Sequence, residues 1–300
     1  MKAVTKAIGI DLGGTRVKAV LVDDIGNVLH EIIVPTLDEQ GKWKDSAKSA
    51  FNQLNVNLDK NEFYVGLSAP GIPDKYNKCI QLMPGRLQGI EDFDWTEFLG
   101  REVFVVNDAV AALSAEARFG AAKNCKDAVI ITIGTGVGGA LLINGKIHQG
   151  AFQKAGHIGH MSINLDGEPD ICGMPGSLEE AIGNYSINKR SNGKFHDTAE
   201  LIEAMKNDDL FAHDIWLKSI KALAVAIASI GNILSPEKII LAGGITKAGS
   251  ILTDPLEKLI NEYEWRIGEN RMQIEIAHFG EQSGAIGAAA FSFLENKNNS

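Results

Sequence analysis

A strand, a glycine-rich turn and a second strand occur in that order twice in this 300-residue chain. The first copy is "KAIGIDLGGTRVKAVLV", in which Asp11 closes the first strand and Thr15 follows two glycines. The second copy, "DAVIITIGTGVGGALLING", again has a threonine in its turn. One such turn alone could equally be a tight hairpin, because short glycine motifs are weak signals. Two copies predict two related α/β domains, each with a glycine turn whose backbone N–H groups can face a phosphate.

The segments around these two units predict further α/β structure. "REVFVV" is a buried strand that leads through Asn107 and Asp108 into an alanine-rich helix. The sequence "GAIGAAAFSFL" predicts a helix of small residues that can pack closely on its neighbours. A long apolar helix precedes "LSPEK", and one of its faces, which we interpret as a core face, contains Ile215, Leu223, Ile227 and Ile230.

Charge and composition exclude several classes of protein. The formal net charge of −9 argues against a nucleic-acid-binding surface, which needs basic side chains to displace counterions from phosphate. No apolar run approaches the length needed to cross a bilayer, so we expect no membrane partner. The N-terminus lacks the features of a signal peptide, and Cys79, Cys125 and Cys172 are scattered as in reduced proteins. These features predict a cytoplasmic protein.

The order of motifs along nearly the whole chain is similar to that of the ROK family (repressors, open reading frames and sugar kinases). The motifs are "GIDLGGT", "SAPG", Pro84–Gly85, "VVNDAVAALSAEARFG", "IGTGVGGALLINGKI", "GHIGH", "CGMPGSLEE", "LSPEKIILAGGI" and "GAIGAAA". The resemblance implies a two-domain α/β fold of the actin-like (ribonuclease H-like) ATPase class with an interdomain cleft. We expect residues 1–109 plus about 286–300 to form the N-terminal domain and residues 110–285 the larger C-terminal domain. The resemblance also implies a homodimer.

The resemblance further implies an ATP-dependent kinase that transfers a phosphoryl group to a sugar hydroxyl, with Mg²⁺ as cofactor. Asp108 corresponds to the general base, although an aspartate that starts a helix could also be a plain N-cap. Asp11 corresponds to the carboxylate near Mg²⁺, acting through water. The residues expected at the nucleotide are Gly13, Gly14 and Thr15 in the first turn, Gly134, Thr135, Gly136, Gly138 and Gly139 in the second, and Gly243 and Gly244 in "LAGGI". The last two could instead form an ordinary turn at a strand end.

The sugar-binding segment departs from the family pattern. The family has Glu-x-Gly-His followed by Cys-x-Cys-Gly-x-x-Gly-Cys-x-Glu, in which the histidine and three cysteines bind a structural zinc ion. Here His157 replaces the first glutamate, and Asp170, Cys172 and Ser177 occupy the three cysteine positions. Because His160 and Cys172 are the remnants of the four zinc ligands, we expect no bound zinc. The expected sugar contacts are Gly71, Asn107, His157, His160 and Glu179.

The replacement at position 157 leaves two interpretations open. A carboxylate accepts hydrogen bonds from a vicinal diol, whereas a neutral imidazole offers one donor and one acceptor. The substrate could therefore differ from glucose around C2 or C3, or the pocket could have lost its activity. The alternative function is a non-catalytic sugar-binding regulator without a DNA-binding domain, since the first strand begins within the opening residues. An actin-like filament protein is a third possibility, but the sugar segment has no purpose there.

Overall fold

The computed structural model describes residues 5–56, 58, 63–83 and 85–298. Pro84 of the predicted Pro–Gly motif lies outside the described residues, as do the first four and last two residues of the predicted N-terminal domain. The chain divides into two compact units. Unit 1 comprises Met1–Asn124, Ile147–Ala155 and His278–Ser300, and unit 2 comprises Cys125–Lys146 and Gly156–Ala277.

Runs of strands and runs of helices follow one another along the chain, and each of the two repeated units begins with three consecutive strands. The strands are β1 (Lys6–Leu12), β2 (Arg16–Asp23), β3 (Val28–Pro35), β4 (Phe63–Ala69), β5 (Ile72–Pro73), β6 (Ile80–Leu82), β7 (Phe104–Asn107), β8 (Ala128–Ile133), β9 (Val137–Ile143), β10 (Lys146–His148), β11 (Lys238–Ala242) and β12 (Gln273–Ile276). The helices are α1 (Trp43–Asn55), α2 (Trp95–Leu99), α3 (Asp108–Phe119), α4 (Leu178–Ile182), α5 (Ile187–Arg190), α6 (Thr198–Lys206), α7 (Leu210–Leu234), α8 (Ser250–Tyr263) and α9 (Ser283–Asn298). This order confirms the predicted mixed α/β class.

The sheet of unit 1 has the strand order β3-β2-β1-β4-β7. β1 is antiparallel to β2 and parallel to β4, which in turn is parallel to β7. In this register Asp11 lies opposite Ser68, and Ala69 lies opposite Asn107. Because parallel strands end at the same edge of a sheet, the chain folds so that Asp11 and the Asn107–Asp108 pair come to one edge.

Helix α9 packs on the sheet of unit 1 at very short range, which confirms the prediction of a small-residue helix. A Cβ atom built on Gly9 would lie 1.9 Å from the carbonyl oxygen of Ala285, so a side chain in β1 would displace this helix. A Cβ atom on Gly287 would similarly meet the carbonyl oxygen of Ala111 in α3 at 1.8 Å. Helices α3 and α9 therefore form one layer on this sheet.

The boundaries of the units differ from the division expected from the sequence. Residues 110–124, 147–155 and 278–285 belong to unit 1, whereas the sequence division assigned them to the C-terminal domain. For residues 110–124 and 278–285 the physical reason is the packing of α3 on α9, since an amphipathic or small-residue helix belongs to the layer that buries it. Sequence motifs mark where α3 begins, but they do not show which layer covers it.

The buried carboxylate of Glu116 in α3 holds two segments of unit 1 near the points where the chain crosses between units. Its Oε2 accepts a hydrogen bond from the backbone N–H of Ala121 at 2.7 Å. Its Oε1 accepts hydrogen bonds from the N–H groups of His278 at 2.7 Å and Phe279 at 3.2 Å. The chain leaves unit 1 after Asn124, returns to it over Ile147–Ala155, and enters it for the last time at His278. The Glu116 carboxylate therefore holds the segment after α3 and the segment that begins at His278 next to α3.

The sheet of unit 2 runs β9-β8-β11-β12, with β10 beside β9 at the edge where the chain passes back to unit 1. β8 is antiparallel to β9 and parallel to β11, and β11 is parallel to β12. The expected core face of α7 is confirmed, because its members are all buried in the core of this unit: Ile215, Leu223, Ile227 and Ile230.

Helix α7 also corrects one expectation from the sequence. Among the residues that the structure describes, it is the helix whose length and mean hydropathy of 1.5 are sufficient for a membrane span. From the sequence we expected no apolar run of that length. The high hydropathy has a local explanation, since the helix contributes side chains such as Trp216 and Ile220 to the core of unit 2.

Candidate active site

Two carboxylates, Asp11 and Asp108, lie at the same edge of the unit 1 sheet. Burial raises the pKa of Asp11 to about 6; the Ser68 hydroxyl beside it opposes this shift, and the Asp108 carboxylate adds to it. A Cβ atom on Gly284 in the first turn of α9 would lie 2.5 Å from the Asp11 carboxyl carbon, so only glycine fits there. The arrangement places a partly buried carboxylate in the last turn-side residues of β1, where the sequence predicts the magnesium-side residue.

Asp108 is the first residue of α3 and is exposed. The N-cap of this helix is Asn107, whose Oδ1 accepts the N–H of Ala109 at 2.9 Å. Capping alone therefore does not explain an aspartate at position 108, although its own Oδ1 also accepts the Ala109 N–H, at 2.8 Å. The Asn107 amide donates a hydrogen bond to the carbonyl of Gly71 at 2.9 Å. The structure thus brings together three residues that the sequence predicts at the sugar: Gly71, Asn107 and Asp108.

The first glycine turn is closed by a hydrogen bond from the Gly13 N–H to the Arg16 carbonyl at 3.1 Å. A cation that no sequence motif indicates lies beside this turn. A Cβ atom built on Gly14 would lie 2.9 Å from Nη1 of Arg86, so the exposed Arg86 guanidinium reaches over this turn. A single arginine after a Pro–Gly pair gives no sequence signal of its own, because its proximity to Gly14 depends on the fold.

The second glycine turn contributes to a cavity of about 540 Å³ within unit 2. Gly134, Thr135 and Gly244 line this cavity together with apolar side chains that include Ile202, Ile245, Ala248 and Ile251. Gly243 lies just outside it, with a φ of +90°, and a Cβ atom there would meet the carbonyl oxygen of Ile133 at 2.3 Å. A cavity of this size, mostly apolar with a few polar groups, is typical of a small-molecule site.

Two glycines of the predicted phosphate turn lie instead in a strand. Gly138 and Gly139 belong to β9, where they pair with Thr132 and Ile131 of β8. The turn itself is therefore shorter than the sequence motif, and Gly136 is its last glycine. Gly139 has a packing role, since a Cβ atom there would lie 2.7 Å from the Gly156 carbonyl oxygen.

The carboxylate of Glu179 contacts the second glycine turn. Its Oε2 accepts a hydrogen bond from the Val137 N–H at 2.7 Å, and a Cβ atom on Gly136 would lie 2.2 Å from the same oxygen. Glu179, which the sequence predicts as a sugar contact, therefore joins α4 to the turn. This link was not predictable from the motif.

The two histidines of the sugar-binding segment have parallel rings. The ring centroids of His157 and His160 are 6.2 Å apart, with an interplanar angle of 13°. His160 Nδ1 lies 2.8 Å from Asp170 Oδ2, and His160 Nε2 lies 3.5 Å from Cys172 Sγ. Burial raises the pKa of Asp170, but hydrogen bonds from His160 and from the backbone of Met174 and Cys172 outweigh it and hold that pKa below its ordinary value.

A protein-family model and several known proteins each match almost the whole length of this chain. A family model described as "ROK family" matches residues 7–293. A glucokinase of Thermotoga maritima is 30% identical, with 95% of this chain and 96% of that protein aligned. An N-acetylmannosamine kinase of Vibrio cholerae is 29% identical over 97% of this chain and 100% of that protein. A ROK family glucokinase from Streptomyces griseus, crystallised with glucose and AMPPNP, is 25% identical with a TM-score of 0.79, over 96% of this chain and 99% of that chain.

Proposed function

The chain belongs to the ROK family, and we propose that it transfers the γ-phosphoryl group of ATP to a hydroxyl group of a sugar, with Asp108 as the general base. Relatives that are matched over nearly their full length are sugar kinases, and one was crystallised with an ATP analogue. These matches support an ATP-dependent carbohydrate kinase. The observation that carries the assignment of the base is the exposed Asp108 at the same sheet edge as Asp11 and the first glycine turn.

Asp108 suits the role of general base by position and exposure. It would accept the proton of the sugar hydroxyl while that oxygen attacks the γ-phosphorus and the bond to ADP breaks. Asn107 supports this position, because it caps α3 and holds Gly71 at the same time. A base of this kind contributes about 10²–10⁴-fold to the rate.

The nucleotide is proposed to bind through both glycine turns. The cavity of unit 2 has the size and apolar lining for an adenosine group, with Thr135 and Gly244 on its wall. Asp11 provides the hard oxygen that Mg²⁺ prefers, so its side chain fits the family's metal through a bridging water. Mg²⁺ would neutralise charge on the phosphates when bound. Arg86 reaches the first turn and would contact phosphate oxygens there.

The sugar is proposed to contact Gly71, Asn107, His157, His160 and Glu179. The histidine at position 157 offers one hydrogen-bond donor and one acceptor where the family offers a carboxylate. We therefore expect a substrate that differs from glucose around C2 or C3. Restoring the carboxylate with His157→Glu should shift the preference towards glucose.

The test is an ADP-release screen with glucose, mannose, N-acetylmannosamine, N-acetylglucosamine, deoxy sugars and sugar acids, in the presence of Mg²⁺. The expected result is turnover on at least one sugar, lowered by about 10²-fold or more in Asp108→Asn with nucleotide binding retained. Asp209→Asn is the matched control, because Asp209 caps α7 and asparagine is an equally good N-cap. Binding of ATP without turnover on any sugar would contradict the proposal and favour a non-catalytic regulator.

We also propose a cytoplasmic homodimer, as the family resemblance implies. The oligomeric state is tested by size-exclusion chromatography with light scattering. A monomer at micromolar concentration would contradict this part of the proposal without affecting the kinase assignment.

A further inference from the structure

We propose that the buried carboxylate of Asp170 replaces the structural zinc ion of the family, holding the segment from His160 to Ser177 and fixing His160 as the Nδ1–H tautomer. The structural part of this proposal is independent of catalysis. The consequence for sugar contacts rests on the proposed function.

The donor set does not suit zinc. A structural zinc site needs four ligands in a tetrahedron. Among the described residues, the group of metal-ligating side chains in this segment is His160, Asp170 and Cys172. One donor atom of each lies within 4.8 Å of the others, so the set is one ligand short of a tetrahedron, and the imidazole already contacts Asp170 through Nδ1 and Cys172 through Nε2. Ser177, at the fourth position, is the N-cap of α4 and accepts the Glu180 N–H at 3.3 Å.

Asp170 makes the connections that a central ion would otherwise provide. Its side chain is fully buried, while that of His160 is 26% exposed. Oδ2 faces His160 Nδ1 at 2.8 Å, and Oδ1 accepts the backbone N–H groups of Cys172 at 2.8 Å and Met174 at 3.0 Å. One carboxylate thus ties the histidine at the start of the segment to the turn at its tip. Hydrogen bonds to a charged group are each worth about 1.5–3 kcal/mol, so three of them can maintain a local turn.

The base of the segment is closed separately by the backbone. The Leu178 N–H donates to the Met161 carbonyl at 2.8 Å, and the Ile163 N–H donates to the Gly176 carbonyl at 2.9 Å. A further bond from the Gly176 N–H to the Glu168 carbonyl at 2.9 Å continues this pairing, which stops short of the turn from Asp170 to Met174. The tip depends on Asp170, whose backbone N–H also donates to the Met174 carbonyl at 2.9 Å.

The exchange of a metal for a carboxylate reverses the roles of the two imidazole nitrogens. A nitrogen that binds a metal has no proton, and the other nitrogen then carries it. A nitrogen that faces a carboxylate must instead donate. In this protein Nδ1 therefore carries the proton, and Nε2 is a single acceptor that either the Cys172 S–H or a sugar hydroxyl can occupy.

The first test measures metal content and stability of the full chain. We expect far less than one zinc per chain after purification with excess zinc, and a Tm that EDTA does not change. We expect Asp170→Asn to lower the Tm, because both carboxylate oxygens accept hydrogen bonds and the amide nitrogen of asparagine cannot replace either of them. Asp166→Asn, an exposed residue of the same segment, is the matched control and should leave the Tm unchanged. One zinc per chain whose removal lowers the Tm would overturn the proposal.

A second readout detects the tautomer directly. Long-range ¹H–¹⁵N NMR of the imidazole nitrogens should show a protonated Nδ1 and an unprotonated Nε2 for His160. Asp170→Asn should change this pattern and Asp166→Asn should not. A protonated Nε2 in the unmodified protein would refute the assignment, whatever the outcome of the kinase assay.

The converse experiment restores the family's ligands. In the double variant Asp170→Cys with Ser177→Cys, three thiols and His160 occupy the four ligand positions, so one zinc per chain and an EDTA-sensitive Tm are expected. A folded double variant that binds no zinc would contradict the claim that Asp170 stands at a ligand position. The single Asp170→Asn variant keeps the proposal testable if the double variant does not fold.

Discussion

Replacement of Asp11 by asparagine should stabilise the protein at neutral pH. Burial is the main reason that the pKa of this carboxyl is raised to about 6 in the folded protein, and the neighbouring Asp108 adds to the effect. Asparagine has nearly the same shape and carries no charge. The substitution therefore removes the unfavourable burial of a carboxylate while it leaves the packing against Gly284 in place.

The sign and size of the effect follow from the two pKa values of Asp11. In the unfolded chain an aspartate has a pKa of about 3.9. Because its pKa rises to about 6 on folding, Asp11 binds its proton more tightly in the folded protein than in the unfolded chain. The stability that this proton contributes is fully present below pH ~4 and is lost as the pH rises through 6. At about 1.4 kcal/mol for each pH unit, the loss is at most about 3 kcal/mol.

Thermal unfolding in EDTA, so that no divalent metal competes with the proton, measures this difference. The variant and the unmodified protein should have similar Tm values at pH 4. At pH 7.5 the variant should unfold roughly 5–10 °C higher, at about 2–4 °C for each kcal/mol in a domain of this size. Asp166→Asn should show no such pH-dependent gap. A variant that is less stable at pH 7.5, or a gap that does not change with pH, would refute the reasoning.

Three further predictions concern residues to which the sequence alone assigned no role. Arg86→Ala should lower kcat by roughly 10²-fold, and Arg86→Lys should have an intermediate kcat. Arg271→Ala, an exposed control, should leave kcat unchanged. If Arg86→Ala and the unmodified protein have equal kcat values, Arg86 does not belong to the site. Glu116→Gln should lower the free energy of unfolding in urea by about 2–4 kcal/mol, because the amide nitrogen of the new glutamine must face a backbone N–H. Glu262→Gln, at an exposed position, should have no effect. Ala248→Phe should fill part of the unit 2 cavity and raise the KM for ATP at least tenfold, while the KM for the sugar stays the same. If only the KM for the sugar rises, the nucleotide does not bind in this cavity.

The sequence predicted those parts of the fold that depend on local patterns. The apolar face of α7 follows from helical spacing, and the small residues of α9 follow from composition, so both are confirmed by burial and close packing. The two glycine turns follow from strand ends next to glycines. The extent of the second turn does not, since Gly138 and Gly139 fit a turn and a strand equally well and pairing with β8 decides between them.

Contacts between distant residues could not be predicted in this way. Glu116 bonds to residues more than 160 positions away, and nothing in the helix around it distinguishes it from a surface glutamate. The proximity of Arg86 to Gly14 and the bond of Glu179 to Val137 are of the same kind. Asp170 is intermediate, because the family pattern marks its position as unusual while only the fold shows what its two oxygens contact.

The departures from the family pattern at Asp170 and at His157 act on different properties of the protein. A count of charges shows the difference between them. A zinc ion with three thiolates and one imidazole has a net charge of −1. In the arrangement that we propose, the Asp170 carboxylate with an imidazole that has one proton, a thiol and a hydroxyl would also have a net charge of −1, so the exchange would leave the charge of the segment unchanged and alter its hydrogen bonds. At position 157, in contrast, the protein loses a carboxylate that nothing in the exchange at Asp170 restores. Variants of Asp170 therefore address how the segment is held, whereas variants of His157 address which sugar it selects.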